Sequence, residues 1–171
     1  MSPSATTTPS AAAMPVRTHS PLKTILLAGF AGGLGDILYA FTVWGIRGVS
    51  PVRIAQSIAG GWLGRDAAVA GGLATATLGM VSHFGICIVA AALYYQVATR
   101  WRFLVERPYV SAFVFGIGMY IAMVYVIVPL SAAPGGFPRF GWNMAVALFP
   151  HIFLVGIPFA LITRRELRAG S

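Results

Sequence analysis

Acidic side chains are nearly missing from this chain: Asp36, Asp66, Glu106 and Glu166 are the whole supply in 171 residues, and two of the four fall at the borders of apolar stretches. Hydrolytic acid and base pairs are therefore poorly provided for. Charge of either sign is scarce, at 9% of residues, which is too little to cover a water-facing surface. Cysteine is limited to Cys87, so no disulfide framework exists and the redox compartment is left open. The motifs of soluble catalysis are missing as well: there is no phosphate-loop GxxxxGK, no CxxC and no HExxH. The glycines between positions 29 and 35 share the spacing of a dinucleotide loop but have no strand before them. Neither an enzyme nor a resident metal or other cofactor is expected.

What the chain has instead is hydrocarbon, with 57% hydrophobic residues and a mean hydropathy of +0.79. A membrane span needs about 20 apolar residues, and the stretches 22–46, 71–98, 109–130 and 142–163 each supply them. Barrel strands would be about 10 residues long and alternate apolar with polar, which these continuous runs do not. The expected fold is all-α and integral to the membrane, a four-transmembrane-helix bundle formed by residues 21–171 as one domain. Residues 1–20, rich in Ser, Thr, Ala and Pro, are expected to be a disordered tail. Without a basic start and an apolar core the tail is no signal peptide, so the first span is expected to act as an uncleaved anchor.

The net charge of +8 does not point to nucleic acid, because the basic residues gather at helix ends rather than forming one face with interleaved aromatics. Arg17, Lys23, Arg100, Arg102, Arg107, Arg164, Arg165 and Arg168 fall on one side of the bilayer, and Arg47, Arg53, Arg65 and Arg139 on the other. By the positive-inside rule this places both termini in the cytoplasm. In the first external loop, Ser50 reads as an N-cap and Pro51 as a first-turn residue. A short helix follows, apolar at Val52, Ile54, Ala55, Ile58, Trp62 and Leu63 and polar at Arg53, Gln56 and Arg65. It is expected to lie at the outer interface and to stop at Gly60 and Gly61, with Asp66 capping the second span.

Three isolated polar groups, Asp36, His83 and His151, fall near the middle of different spans, with Tyr120 at similar depth in a fourth. An ionisable group there is costly unless paired or hydrated, so each marks a structural or functional centre. Gly71, Thr75, Gly79, His83, Cys87 and Ala91 recur at spacing four, which gives the second span one small and polar face suited to close helix packing. Gly29 and Gly33 form a GxxxG beside Asp36, so the two stripes can pack and bring Asp36 to His83. Pro150 lacks an N–H and leaves the Val146 carbonyl unpaired, so a kink or a water is expected beside His151. A weak duplication is also visible: Gly33-Leu-Gly35 and Gly116-Ile-Gly118 are each followed at equal distance by a proline, Pro51 and Pro134.

The segment containing Pro129-Leu130, Pro134, His151 and the closing Thr-Arg-Arg-Glu-Leu-Arg of residues 163–168 resembles the YagU-like family of bacterial inner-membrane proteins. The resemblance covers the last forty or so residues and part of the first span; the long first loop departs from that family. It implies a bacterial inner membrane and no established activity, and it carries over no catalytic residue. A second likeness is to small Ala- and Gly-rich membrane proteins of proteobacteria, and it implies no more.

The polar layer of Asp36, His83, His151 and Tyr120 admits three readings. It is interhelical glue, a relay that moves protons or a small solute, or a ligand set in which His83 and Cys87 take a metal or two histidines bracket a haem. An iron- or metal-binding motif beyond these residues is missing, which disfavours the third. The partners expected are the lipid bilayer and either a second copy or another membrane protein, met through the small-residue helix faces.

Overall fold

The computed structural model describes residues 20–133 and 142–168, and every regular element among them is helical. Residues 1–19, with Arg17, and residues 134–141, with Pro134 and Arg139, lie outside the described residues. Four helices are long and apolar enough to cross a membrane: α1 Pro21–Gly45, α4 Gly72–Ala98, α6 Pro108–Leu130 and α7 Asn143–Arg168. Between α1 and α4 lie α2, Pro51–Leu63, and α3, Arg65–Ala70; α5, Arg102–Glu106, joins α4 to α6. The chain is thus a multi-pass, all-α membrane bundle.

Local chemistry sets the helix limits. Ser20 caps α1 by accepting from the Lys23 N–H, with Pro21 in the first turn, and Ser50 caps α2 in the same way through Arg53 and Pro51. The expected stop at Gly60 and Gly61 is not used; α2 continues to Leu63 and ends at Gly64, whose φ of 76° suits a glycine. Two adjacent glycines weaken a helix without ending it, because only a required left-handed residue forces the stop. Asp66 does not cap the second span either, since it lies in the first turn of α3. There a carboxylate complements the positive end of the helix dipole.

Two hydroxyls mend the breaks between short and long helices by the same device. Thr75 Oγ1 donates within reach of both Ala68 O, at 2.5 Å, and Gly72 O, at 3.0 Å, across the α3–α4 junction. Ser111 Oγ does the same to Leu104 O, at 3.2 Å, and Pro108 O, at 2.9 Å, across the α5–α6 junction. Each hydroxyl reaches the carbonyl seven residues earlier, in the last turn of the short helix where the break leaves carbonyls without N–H partners, and the carbonyl three residues earlier, at the start of its own helix.

Both later spans also change pitch. In α6 the segment Ala122–Ile127 and in α7 the segment His151–Gly156 widen to π-helix, and each ends two residues before a proline, Pro129 and Pro158. A proline has no N–H and its ring crowds the carbonyl four residues back, so a wider turn upstream relieves both problems. The Val146 carbonyl freed by Pro150 accepts the Tyr39 hydroxyl of α1 at 3.0 Å. A side chain from a neighbouring helix thus makes the hydrogen bond for which a water was expected, and the helix widens to π pitch from His151 onward.

Packing is tight at one end of the bundle and splayed at the other. Ala28, Ala90, Ala91, Tyr94, Ala98, Ala112, Val155, Phe159 and Ala160 form one buried cluster that draws all four spans together near the termini. The Tyr94, Phe115 and Phe159 rings meet edge-on or tilted within it. There, too, the Ser20 N–H donates to Glu166 Oε1 at 3.3 Å, tying the start of α1 to the end of α7. At the loop end α2 lies across α4: a Cβ on Gly79 would land on Ala55 O, and Trp62 Nε1 donates to Ser82 Oγ at 2.9 Å. The helix of the first loop therefore seats Ile54, Ala55, Gln56 and Ala59 against the bundle while Pro51, Val52 and Trp62 stay exposed.

Gly79 and Gly85 lie on the same helix but differ in what a methyl group would meet. Nothing lies within 4 Å of a Cβ at Gly85. Gly79→Ala is expected to destabilise the protein by about 1–3 kcal/mol through overpacking, and Gly85→Ala to cost nothing. Unfolding of both variants in mixed detergent micelles checks this, and equal midpoints would show that α2 does not rest on Gly79.

Candidate functional site

Close approach of α1 to α4 creates the polar centre. A Cβ on Gly29 would lie 2.7 Å from Ile88 Cα, and one on Gly33 would lie 2.9 Å from the Phe84 ring and 3.3 Å from Cys87 Cβ. With no side chain in the way, the Gly33 carbonyl is open to His83, whose Nε2 lies 2.8 Å from it. A carbonyl only accepts, so Nε2 carries the hydrogen and Nδ1 is the nitrogen turned toward Asp36. Asp36 Oδ2 lies 4.0 Å from Nδ1. That is an ion-pair distance and too long for a hydrogen bond. His83 is buried, while the Asp36 side chain keeps 24% of its surface exposed.

The expected four-residue centre divides into two. Asp36 and His83 form one pair between α1 and α4; Tyr120 and His151 form another between α6 and α7, with ring centroids 5.9 Å apart at 80°. Among the described residues no hydrogen bond, ion pair or ring contact links the pairs. Equal depth was a sound inference from position along each span, but depth does not set which helices are neighbours. His151 turns inward on its own helix, with Nδ1 donating to Ala147 O at 2.7 Å, whereas His83 reaches across to another. The two histidines are therefore not equivalent halves of a repeat. The Tyr120 hydroxyl is buried without a hydrogen-bond partner among the described residues.

The small-residue face of α4 is buried at Thr75, Gly79, His83, Cys87 and Ala91, but Gly71 is exposed at the N-cap of the helix, where a Cβ would meet the Thr75 side chain of the same helix. Gly29 and Gly33 meet α4, and Gly79 meets α2. Among the described residues no three of His, Cys, Asp and Glu converge as a metal set. Position in the sequence did not reveal Tyr39 as the partner of Val146, nor Gln56, buried with Nε2 donating to Gly72 O at 2.9 Å. The only signal for either was a polar group on an otherwise apolar helix face.

These features define a multi-pass helical membrane protein with a histidine–carboxylate pair at mid-depth. Compared with protein-family models, with curated proteins and with solved structures, the chain matches none.

Asp36 and His83 face each other without another charged partner among the described residues, so their contributions should not add. In a cycle of Asp36→Asn, His83→Gln and the double variant, a coupling of about 1 kcal/mol is expected, the usual size of a polar contact between membrane helices. Stability in detergent is the readout. Strict additivity would mean that the 4.0 Å approach carries no energy.

Proposed function

We propose that the chain is a non-enzymatic protein of the bacterial inner membrane, with both termini cytoplasmic, acting as a structural or accessory component whose Asp36–His83 pair locks the register of α1 on α4. The observation that carries this reading is the Nε2 contact of His83 with Gly33 O. A histidine committed to a backbone carbonyl in a neighbouring helix fixes two helices in one register, and it has one nitrogen fewer with which to pass a proton. The separation of Tyr120 and His151 from this pair supports the same reading, since a relay across the bilayer needs a continuous chain of groups. The bacterial inner membrane follows from the YagU-like resemblance, and the orientation from the basic residues grouped around the termini.

An assembly with a second copy or another membrane protein would use surfaces other than Gly29, Gly33 and Gly79, which α1, α2 and α4 spend on one another. A second reading, a site that moves protons or a small solute, is favoured by the 4.0 Å gap and the partial exposure of Asp36.

Proton movement into liposomes separates the two. The register lock predicts no flux above empty liposomes from the folded wild-type protein, and lower stability for His83→Gln. Flux that His83→Gln removes while the protein stays folded would replace the lock with the relay. Reporter fusions after Ser171 and within α2 test the orientation: cytoplasmic activity is expected at the first and periplasmic activity at the second, and the reverse pattern would invert the topology.

A further inference from the structure

Where the bundle splays, two adjoining cavities open around α2. One, of about 620 Å³, lies at the loop end and is lined by Ser50, Arg53, Gln56, Ser57 and Arg65 among others. Another, of about 630 Å³, runs between α2, α4 and the far half of α6 against Ile58, Trp62, Ile86, Met123 and Ile127. Ser57 and Ala133 line both, so the two chambers are neighbours that share a rim. Each volume falls in the range of small-molecule sites, about 300–1,000 Å³.

The chambers differ in chemistry as the two ends of an amphiphile do. Arg53, Arg65 and no acidic residue line the first, and neither arginine has an ion-pair partner among the described residues. Planar guanidinium groups match phosphate oxygens, and basic pockets between membrane helices suit lipid headgroups. Gln56 adds an acceptor: its Nε2 is spent on Gly72 O and Val69 O, and Oε1 has no partner. The second chamber is almost wholly apolar, and the π-segment of α6 supplies Met123 and Ile127 to its wall. A widened turn of this kind is frequent at binding sites.

We propose that the two chambers form one binding site for an anionic phospholipid, its phosphate held by Arg53 and Arg65 and an acyl chain lying against Trp62, Ile86 and Met123. A zwitterionic headgroup would bring its own cation beside two guanidinium groups and is disfavoured. Phosphatidylglycerol, which carries the phosphate charge and no cation of its own, is the headgroup that suits this chamber. The site shares no residue with the Asp36–His83 pair, so it stands or falls separately from the register lock.

Mass spectrometry of the intact full-length chain released from detergent tests it, with phosphatidylglycerol and phosphatidylcholine of identical chains supplied in equal amounts. The wild-type protein is expected to retain phosphatidylglycerol preferentially, and Arg53→Gln with Arg65→Gln to lower that retention about tenfold, toward the level of phosphatidylcholine. Both arginines are exposed, so the double variant keeps the fold. Ile58→Trp, which fills the apolar chamber, is expected to weaken both lipids with the arginines intact. Equal retention of the two lipids by the wild type, or undiminished phosphatidylglycerol on the double variant, would overturn the proposal. Displacement of phosphatidylglycerol by glycerol phosphate would overturn it too, by showing a site for soluble phosphate with no use for an acyl chain.

Discussion

A backbone carbonyl released inside lipid has no water to turn to, and much of this fold follows from finding each one a donor. Prolines and helix breaks release the carbonyls; side chains from elsewhere in the bundle return a hydrogen bond. Tyr39 supplies Val146, Thr75 supplies Ala68, Ser111 supplies Leu104, and Gln56 supplies Val69. His83 uses the same kind of bond without a break, its Nε2 lying 2.8 Å from Gly33 O inside the continuous α1 while Asp36 stays 4.0 Å away. Each such bond joins two segments of chain, so meeting the local need of the backbone also sets the order in which helices pack.

That order makes α4 the axis of the molecule. It receives α1 along Gly29 and Gly33, α2 at Gly79, and the Tyr94-centred cluster near the termini. The third span is peripheral by comparison: 11% of its apolar window is buried, against 33% for each of the others. Its far end is tied to α2, the Ala132 N–H donating to Gly61 O at 2.9 Å, and a gap is left beside α4. The wedge of α2 closes part of that gap, and the rest forms the apolar chamber beside Met123 and Ile127.

Composition and run length were enough to read four spans, because burial in lipid demands apolar residues at every position of a helix. Ser50 and Pro51 announced the start of α2 because caps are local, and Pro150 announced a freed carbonyl for the same reason. The partner of that carbonyl could not be read, since Tyr39 lies 107 residues away and only the packing of α1 on α7 brings it there. The pairing of Asp36 with His83 was legible because two small-residue stripes identified their faces. Tyr120 also follows small residues at spacing four, Ala112 and Gly116, and Gly116 approaches His151 O and Ile152, so this stripe too carried a signal, whereas the depth of the two residues alone does not show their neighbours. The two chambers had no local sign in the sequence at all, because they arise from the angle at which α2 crosses α4.

Charge placement gains a second meaning from the chambers. Topology needs an excess of basic residues on one side, and a basic residue on the translocated side works against that excess. Arg53 and Arg65 are retained on the less basic side, unpaired among the described residues and lining one cavity. The anionic headgroup proposed for this cavity would neutralise that charge and fill space between α2 and α6. On this view lipid is a component of the splayed end, much as Tyr94 and Phe159 are components of the closed end, and the bundle is completed by the membrane in which it sits.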